Sequence, residues 1–245
     1  MPKRRLLSRR SFAGLATAAG SAILGDVQFP AAAAESEVDL NLVLAVDVSG
    51  SVNQRRFELQ RDGYVAAFQH PRVLKAIASG GLRGAVGVTM LQWTGPSLHV
   101  EAVPWTRLTD EPTARAFARA IHAAPRQLFS GGTSISGAID YSVGLLERSP
   151  FQGGRQVVDI SGDGANNRGR LAAEARDAAV ARGITINGLP ILELEPFLDE
   201  HYKNNVIGGP NAFMVVAQTF DEFADAILKK LVTEIASAVP FGPAG

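Results

Sequence analysis

Three oxygen-bearing side chains follow an apolar run in the first quarter of the chain. Asp47, Ser49 and Ser51 occupy alternate positions directly after the apolar residues 42–46. Alternate side chains of an extended segment point to the same side of the backbone. One carboxylate and two hydroxyls that point to a common place form a set of ligands suited to a hard cation such as Mg²⁺. Since the hydroxyls are neutral, we expect such a cation to attract a further acidic group from outside the chain.

Two more oxygen-bearing residues lie where predicted elements meet. Thr133 directly precedes a predicted helix that begins near Ile135, and Asp163 follows a predicted strand over residues 156–160. In an open parallel sheet, ligands gather at the carboxyl ends of the strands. The sequence therefore predicts that Thr133 and Asp163 join the first three residues at one edge of the sheet.

Each motif has a simpler interpretation when it is taken alone. An Asp or Ser that follows a strand often caps the next helix, and Thr133 is also suited to a helix N-cap. Asp163 followed by Gly164 is typical of a turn. The metal site is favoured because all three motifs occur in this order and each lies just after a predicted strand or just before a predicted helix.

The elements that position these residues alternate between apolar runs and helical periodicity from residue 37 onward. Predicted strands cover residues 39–46, 84–93, 98–103, 156–160, 184–189 and 213–216. This pattern predicts an α/β fold that is doubly wound, with a mostly parallel central sheet and helices on both faces. The strand over residues 98–103 is predicted to be an antiparallel edge strand.

The first 34 residues have the character of an export signal. They combine five Lys or Arg residues with a weakly apolar stretch and four alanines at positions 31–34. The sequence Ser-Arg-Arg-Ser-Phe at residues 8–12 resembles the twin-arginine export motif. The apolar stretch is shorter than the roughly 20 residues of a membrane span, which argues against a membrane anchor. We therefore predict a twin-arginine-type signal peptide over residues 1–34 and a periplasmic or secreted mature chain without a membrane span.

Composition excludes several classes of function. The whole chain has 24 basic and 24 acidic residues, and removal of residues 1–34 leaves 19 basic and 23 acidic residues. A mildly acidic chain without a basic cluster does not suit nucleic-acid binding. There is no cysteine, which excludes thiol catalysis and zinc–thiolate sites, and the four histidines form no pair at helical spacing.

The five oxygen-bearing residues resemble the metal-ion-dependent adhesion site of the von Willebrand factor type A domain. That site combines a D-x-S-x-S motif, a distant Thr and a later Asp in an Asp-Gly turn, and the resemblance extends over almost the whole mature chain. More narrowly, the chain resembles a bacterial family of exported A-type domains without a defined function, through residues 44–52, 131–135 and 159–167. The resemblance implies a Rossmann-like A-type domain over residues 35–239, followed by a short tail at residues 240–245.

The resemblance also implies roles for individual residues. Ser49, Ser51 and Thr133 would contact Mg²⁺, or Mn²⁺ in its place, directly. Asp47 and Asp163 would act largely through bound water, and one coordination position would remain for an Asp or Glu of a protein partner. The chain departs from the family at Gly162, where many members have Thr.

We weigh three functions for such a site. The first is a non-enzymatic binding protein that captures an acidic group through the cation. The second is a metal-dependent hydrolase or phosphoryl-transfer enzyme, for which the sequence offers no nucleophile–base pair, no D-x-D motif, no P-loop and no dinucleotide fingerprint. The third is a structural subunit whose metal only stabilises the fold.

Three features leave alternatives open. Asp159 interrupts an apolar strand and is either an orienting partner of the site or a structural acceptor for a backbone turn, since a buried carboxylate needs a partner. Residues 190–210, which include a predicted short helix near residues 197–203, are either a solvated surface excursion or a partner-contacting insertion. Trp93 is either an exposed binding aromatic or, as we favour, a packing residue.

Overall fold

The computed structural model describes residues 36–236. The predicted signal peptide and the predicted tail lie outside the described residues. In chain order, the elements are β1 (Glu37–Asp47), α1 (Gln54–Gln69), α2 (Pro71–Ser79), β2 (Val86–Trp93), β3 (His99–Leu108), α3 (Glu111–Ala123), α4 (Ile135–Glu147), β4 (Gln152–Gly162), α5 (Ala172–Val180), β5 (Thr185–Pro190), α6 (Leu198–His201), a π-helical turn (Tyr202–Val206) and α7 (Phe223–Ala236). None of the helices in this part of the chain is both long enough and apolar enough to cross a membrane.

The five strands form one sheet in the order β3–β2–β1–β4–β5. β1 pairs in parallel with β2 and β4, and β4 pairs in parallel with β5. β3 pairs antiparallel with β2 at the edge. β1 is buried from Val38 to Asp47 because other strands or helices cover it on every side, which explains its nearly continuous apolar sequence. The predicted fold class is therefore confirmed.

The alternation of side chains along β1 separates two apolar clusters. Leu40, Leu42 and Leu44 pack on one face against α1, α2, α3 and α7. Val43 and Ala45 pack on the other face against α4 and α5. Because both faces of the sheet are covered by helices, its carboxyl edge is the place where loops from different strands meet.

The prediction of a strand over residues 213–216 is wrong. This segment runs beside β5 but makes only isolated bridges, Gly188 with Met214 and Ile191 with Ala217. The side chain of Asn187 accepts a hydrogen bond from the N–H of Phe213 at 2.8 Å, so a side chain satisfies this backbone donor. The apolar residues of the segment resemble a strand in sequence, but side-chain hydrogen bonding interrupts the ladder.

Residues 190–210 are an ordered part of the domain rather than a solvated excursion. They contain α6 and the π-helical turn, close to the predicted short helix. Leu198, Tyr202 and Val206 are buried in the apolar cluster that also includes α4 and α5. The insertion is therefore anchored by its own apolar residues, while the segment before α6 stays exposed.

Candidate metal centre

The five predicted site residues lie at the carboxyl edge of the sheet. Asp47 is the last residue of β1, and Asp163 directly follows β4, which is the parallel neighbour of β1. Thr133 lies just before α4. All three side chains are almost fully buried, as is that of Ser49.

A hydrogen bond joins the two loops that follow β1 and β4. Ser51 Oγ donates to Asp163 Oδ1 at 2.6 Å, although the two residues are 112 positions apart. The hydroxyl oxygens of Ser49 and Ser51 lie 3.1 Å from each other. Two hydroxyls and a carboxylate from different loops therefore meet at one place, as the sequence predicts.

The way in which the first motif converges differs from the prediction. β1 ends at Asp47, and Ser49 and Ser51 lie in a turn rather than in an extended segment. The backbone N–H of Ser49 donates to Asp47 Oδ1 at 2.7 Å. An Asp side chain that bonds the backbone two residues later produces such a turn, and it directs the two serines inward without strand alternation.

The helix caps are supplied by neighbouring residues, which leaves the predicted ligands available. Asn53 caps α1 by accepting a hydrogen bond from Arg56 N–H. Ser134, not Thr133, caps α4 by accepting from Gly137 N–H. The simpler interpretation of Thr133 and of the serines as helix caps is therefore wrong for this chain.

Thr133 is fixed by the loop that follows β4. Its N–H donates to Asn167 Oδ1 at 3.0 Å, and its carbonyl accepts from the N–H groups of Asn167 and Arg168. Asn166 accepts from Ser136 N–H at 3.0 Å. Both asparagines thus have turn and capping roles, and they hold the start of α4 against the Asp163 loop.

Both aspartates have a carboxylate oxygen without a hydrogen-bond partner among residues 36–236. These atoms are Oδ2 of Asp47 and Oδ2 of Asp163. Burial raises the pKa of Asp47 to about 7, and the negative charge of Asp163 adds to the rise. Burial likewise raises the pKa of Asp163, with a further contribution from Glu195. Buried carboxylates need compensation, so these unpartnered oxygens fit a cation or its bound water.

The departure at Gly162 has a structural reason. A Cβ at this position would lie 3.0 Å from Asp47 Oδ2 and 3.1 Å from the Tyr202 hydroxyl oxygen. Tyr202 is fully buried, and its hydroxyl also has no hydrogen-bond partner among the described residues. The insertion thus places a hydroxyl close to the space that a larger residue at position 162 would fill.

Arg126 is a contributor that sequence reasoning missed. One guanidinium nitrogen donates to the carbonyls of Val48 at 3.0 Å and Ser49 at 3.1 Å. The guanidinium also lies 4.8 Å from the centre of the Phe129 ring. Arg126 lies in an irregular segment without periodicity, so no sequence signal indicates that it supports the β1–α1 loop.

Hydroxyl oxygens are an essential part of this donor set. Across residues 36–236, no three His, Cys, Asp or Glu side chains are grouped so that they could hold a metal ion. The candidate centre offers two carboxylates and three hydroxyls, which together form an all-oxygen set of the kind that Mg²⁺ prefers. The residues present therefore fit a hard divalent cation.

Asp159 belongs to a different cluster, and neither of its two predicted roles is correct. It forms an ion pair with Lys230 of α7, with 2.7 Å between Oδ1 and Nζ. Lys230 also pairs with Glu234 at 2.9 Å, and Glu234 accepts from Asn187 at 2.6 Å. Burial raises the pKa of Asp159 to about 7, although Lys230 opposes the rise. This cluster joins α7 to the sheet.

Trp93 has the packing role that we favour. It is fully buried at the end of β2, within the same apolar cluster as Ile135 and Ile139 of α4. Its backbone carbonyl accepts a hydrogen bond from Val48 N–H at 3.0 Å, just after β1. It therefore supports the site from within the core and is not exposed to a partner.

Solved structures with this architecture show that the fold is the von Willebrand factor type A fold. A von Willebrand factor type A structure from Catenulispora acidiphila matches with a TM-score of 0.56 and 16% identity, over 83% of this chain and 43% of that chain. The pilus adhesin SpaC from Lactobacillus rhamnosus GG matches with a TM-score of 0.58 and 16% identity, over 80% and 30%. Proximal thread matrix protein 1 from the mussel byssus, with zinc in its MIDAS motif, matches with a TM-score of 0.53 and 16% identity, over 82% and 48%.

In each of these matches the chain spans less than half the length of the other structure. At 16% identity the similarity concerns the fold alone. No curated protein sequence matches this chain. A family model described as "Protein of unknown function (DUF1194)" matches residues 37–239. Since the match covers most of the chain, the protein belongs to the DUF1194 family, and its fold is that of a von Willebrand factor type A domain.

Proposed function

We propose that this protein is an exported binding protein that captures an acidic group of a protein partner through a divalent cation. The cation is Mg²⁺, which Mn²⁺ can replace, and the residues that hold it are Asp47, Ser49, Ser51, Thr133 and Asp163. The observation that carries the proposal is the 2.6 Å hydrogen bond between Ser51 and Asp163, which brings both loops together beside two unpartnered, buried carboxylate oxygens.

The residues divide into two groups by the charge that they contribute. Ser49, Ser51 and Thr133 are neutral hydroxyl ligands, while Asp47 and Asp163 act through bound water. When bound, the cation supplies positive charge that compensates the buried carboxylates and attracts an outside carboxylate. Because the groups that contact the cation directly are neutral, they do not neutralise its positive charge, which favours the binding of an acidic partner.

Binding is favoured over catalysis by the chemistry of the surrounding residues. Asn166 and Asn167 are engaged in loop hydrogen bonds, and Arg126 is engaged with backbone carbonyls. The fold is shared with a pilus adhesin and a matrix protein, whose names indicate adhesion and structural roles. Export through a twin-arginine-type signal at residues 1–34 would place the site where such partners occur.

Calorimetric titration with Mg²⁺ and Mn²⁺ tests the metal site. We expect saturable binding to the wild type, and loss of binding in Asp47→Ala and Thr133→Ala with folding retained. Asp62→Ala is a matched control, because Asp62 is exposed on α1 and its one ion pair within residues 36–236 is with Arg61. Absence of binding to the folded wild-type protein would refute the proposal, and so would equal binding in the two site variants.

A second experiment tests the acidic partner. The Mn²⁺-loaded protein should bind acetate, a simple carboxylate probe, more strongly than acetamide, its uncharged amide analogue of similar size. EDTA should abolish the difference. A metal that binds without any preference for the carboxylate would support a purely stabilising role for the cation instead.

A further inference from the structure

Glu195 lies beside the candidate metal centre, in the segment between β5 and α6. Its Oε2 accepts a hydrogen bond from the N–H of Ala165, two residues after Asp163, at 3.0 Å. Its Oε1 lies 3.4 Å from the position that a Cβ on Gly164 would occupy, and Thr133 Oγ1 lies 3.6 Å from that same position. A carboxylate of the chain and a predicted metal ligand thus face the same small space.

Glu195 has no strong competing interaction within residues 36–236. It is exposed, and it takes part in none of the ion pairs of this region. By contrast, Glu193 pairs with Arg56 at 2.6 Å and accepts from Phe220 N–H at 3.0 Å. The hydrogen bond from Ala165 is therefore the main restraint on the Glu195 carboxylate, and an exposed bond of this kind exchanges readily with water.

The backbone on both sides of Glu195 is fixed. Glu193 is tied to α1 and to Phe220, while Leu198 is buried in the core. The segment therefore keeps Glu195 beside the site, while a single exposed hydrogen bond restrains its carboxylate. A tethered group of this kind has a high effective concentration, on the order of millimolar or above.

We propose that Glu195 is a built-in acidic ligand, which occupies from within the chain the coordination position that a partner's carboxylate takes. This inference rests on the proposed function. Glu195 competes with the partner, so a partner must bind the cation better than a tethered glutamate does. The insertion at residues 190–210 therefore sets the affinity threshold of the site, and weak or isolated carboxylates such as acetate bind only at higher concentration than they would without Glu195.

The test uses Mn²⁺ and acetate as probes, with the full chain and Glu195→Gln. Glutamine keeps an oxygen that accepts the Ala165 hydrogen bond, so the loop is preserved while the charge is lost. Glu200→Gln is the matched control, because Glu200 is an exposed residue of α6 in the same segment. Water-proton relaxation reports how many exchangeable water molecules remain on bound Mn²⁺.

We expect three changes in Glu195→Gln and none in Glu200→Gln. Mn²⁺ should bind roughly three- to tenfold more weakly, because a carboxylate ligand is lost. Relaxation enhancement at saturation should rise, because water replaces Glu195 on the metal. Acetate should displace that water at roughly three- to tenfold lower concentration, as expected when a competitor that is bound most of the time is removed.

Two results would overturn the inference, and they differ in meaning. If wild type and Glu195→Gln bind Mn²⁺ with the same relaxation enhancement and the same acetate dependence, Glu195 only tethers the loop and the proposed function stands. If neither protein binds Mn²⁺, the proposed function fails and this inference fails with it.

Discussion

Replacement of Asp47 by Asn should stabilise the metal-free protein while it abolishes metal binding. Asp47 is fully buried, and one of its carboxylate oxygens has no hydrogen-bond partner among the described residues. Burial raises the pKa of Asp47 from 3.8 to about 7. Asparagine keeps the oxygen that accepts the Ser49 N–H, and it removes the buried charge.

The magnitude follows from the shift in pKa. A shift of this size corresponds to about 4 kcal/mol of unfavourable free energy for the charged form in the folded state. Burial of the new amide costs about 1–3 kcal/mol unless it finds a good acceptor, and the unpartnered Tyr202 hydroxyl, which also lies beside Gly162, is one candidate among the described residues. We therefore expect Asp47→Asn to raise the free energy of unfolding by about 1–3 kcal/mol at pH 8.

The pH dependence gives the sign of the effect. The pKa of Asp47 is higher in the folded state than in the unfolded chain, so the folded state holds its proton between about pH 4 and pH 7. The wild type should consequently lose stability as the pH rises through this window. The advantage of Asp47→Asn should therefore be full at pH 8 and should shrink as the pH is lowered to 5.

Urea unfolding with EDTA, followed by the fluorescence of Trp93 and Trp105, measures these values. With Mg²⁺ at 100 times its Kd, the wild type should gain about 2.7 kcal/mol and Asp47→Asn should gain nothing. Two results would contradict the prediction: Asp47→Asn is no more stable than the wild type at pH 8, or the difference in stability between the two proteins does not depend on pH. Either result would mean that the Asp47 carboxylate does not destabilise the metal-free protein.

Two further predictions separate structural roles from metal binding. Lys230→Met should lower the free energy of unfolding, measured in urea, by about 3–5 kcal/mol, because the buried carboxylates of Asp159 and Glu234 then lose their ion pairs with Lys230. The control is Lys229→Met, since Lys229 is the exposed neighbour of Lys230. Equal stability of the two variants would contradict the prediction. Ser134→Ala should lower the free energy of unfolding by about 1 kcal/mol through loss of the α4 cap, and its Mg²⁺ affinity, measured by calorimetry, should stay within about twofold of the wild type. Thr133→Ala, by contrast, should abolish Mg²⁺ binding. The reversed pattern would assign the metal ligand to Ser134 instead of Thr133.

The placement of the candidate site residues at one edge of the sheet was predictable because local patterns mark the ends of strands. The apolar residues of β1 and β4 identify central strands, and a parallel pair brings Asp47 and Asp163 to the same edge. How the serines converge was not predictable, since the turn depends on the hydrogen bond from Ser49 N–H to Asp47. A pattern of apolar and polar residues does not predict backbone geometry of this kind.

Contacts between distant segments account for the other errors. Lys230 lies among apolar residues of α7, and its ion pairs with Glu234 of the same helix and with Asp159 of β4 explain its burial. In residues 213–216, which resemble a strand in sequence, the backbone N–H of Phe213 donates to the side chain of Asn187. Sequence periodicity reports which residues are buried, but it does not report which polar groups meet across the fold.

The departure at Gly162 and the insertion at residues 190–210 are best understood together. Tyr202 of the insertion approaches the space beside Gly162 from the core, and Glu195 of the same insertion approaches the Asp163 loop from the surface. A Cβ at position 162 would crowd both the Tyr202 hydroxyl, at 3.1 Å, and Asp47 Oδ2, at 3.0 Å. The absence of a side chain there leaves room for Tyr202, which packs in the same apolar cluster as Leu198, three residues after Glu195. Because both features depend on the same anchoring, changes that loosen Tyr202 should also weaken the influence of Glu195 on the metal centre.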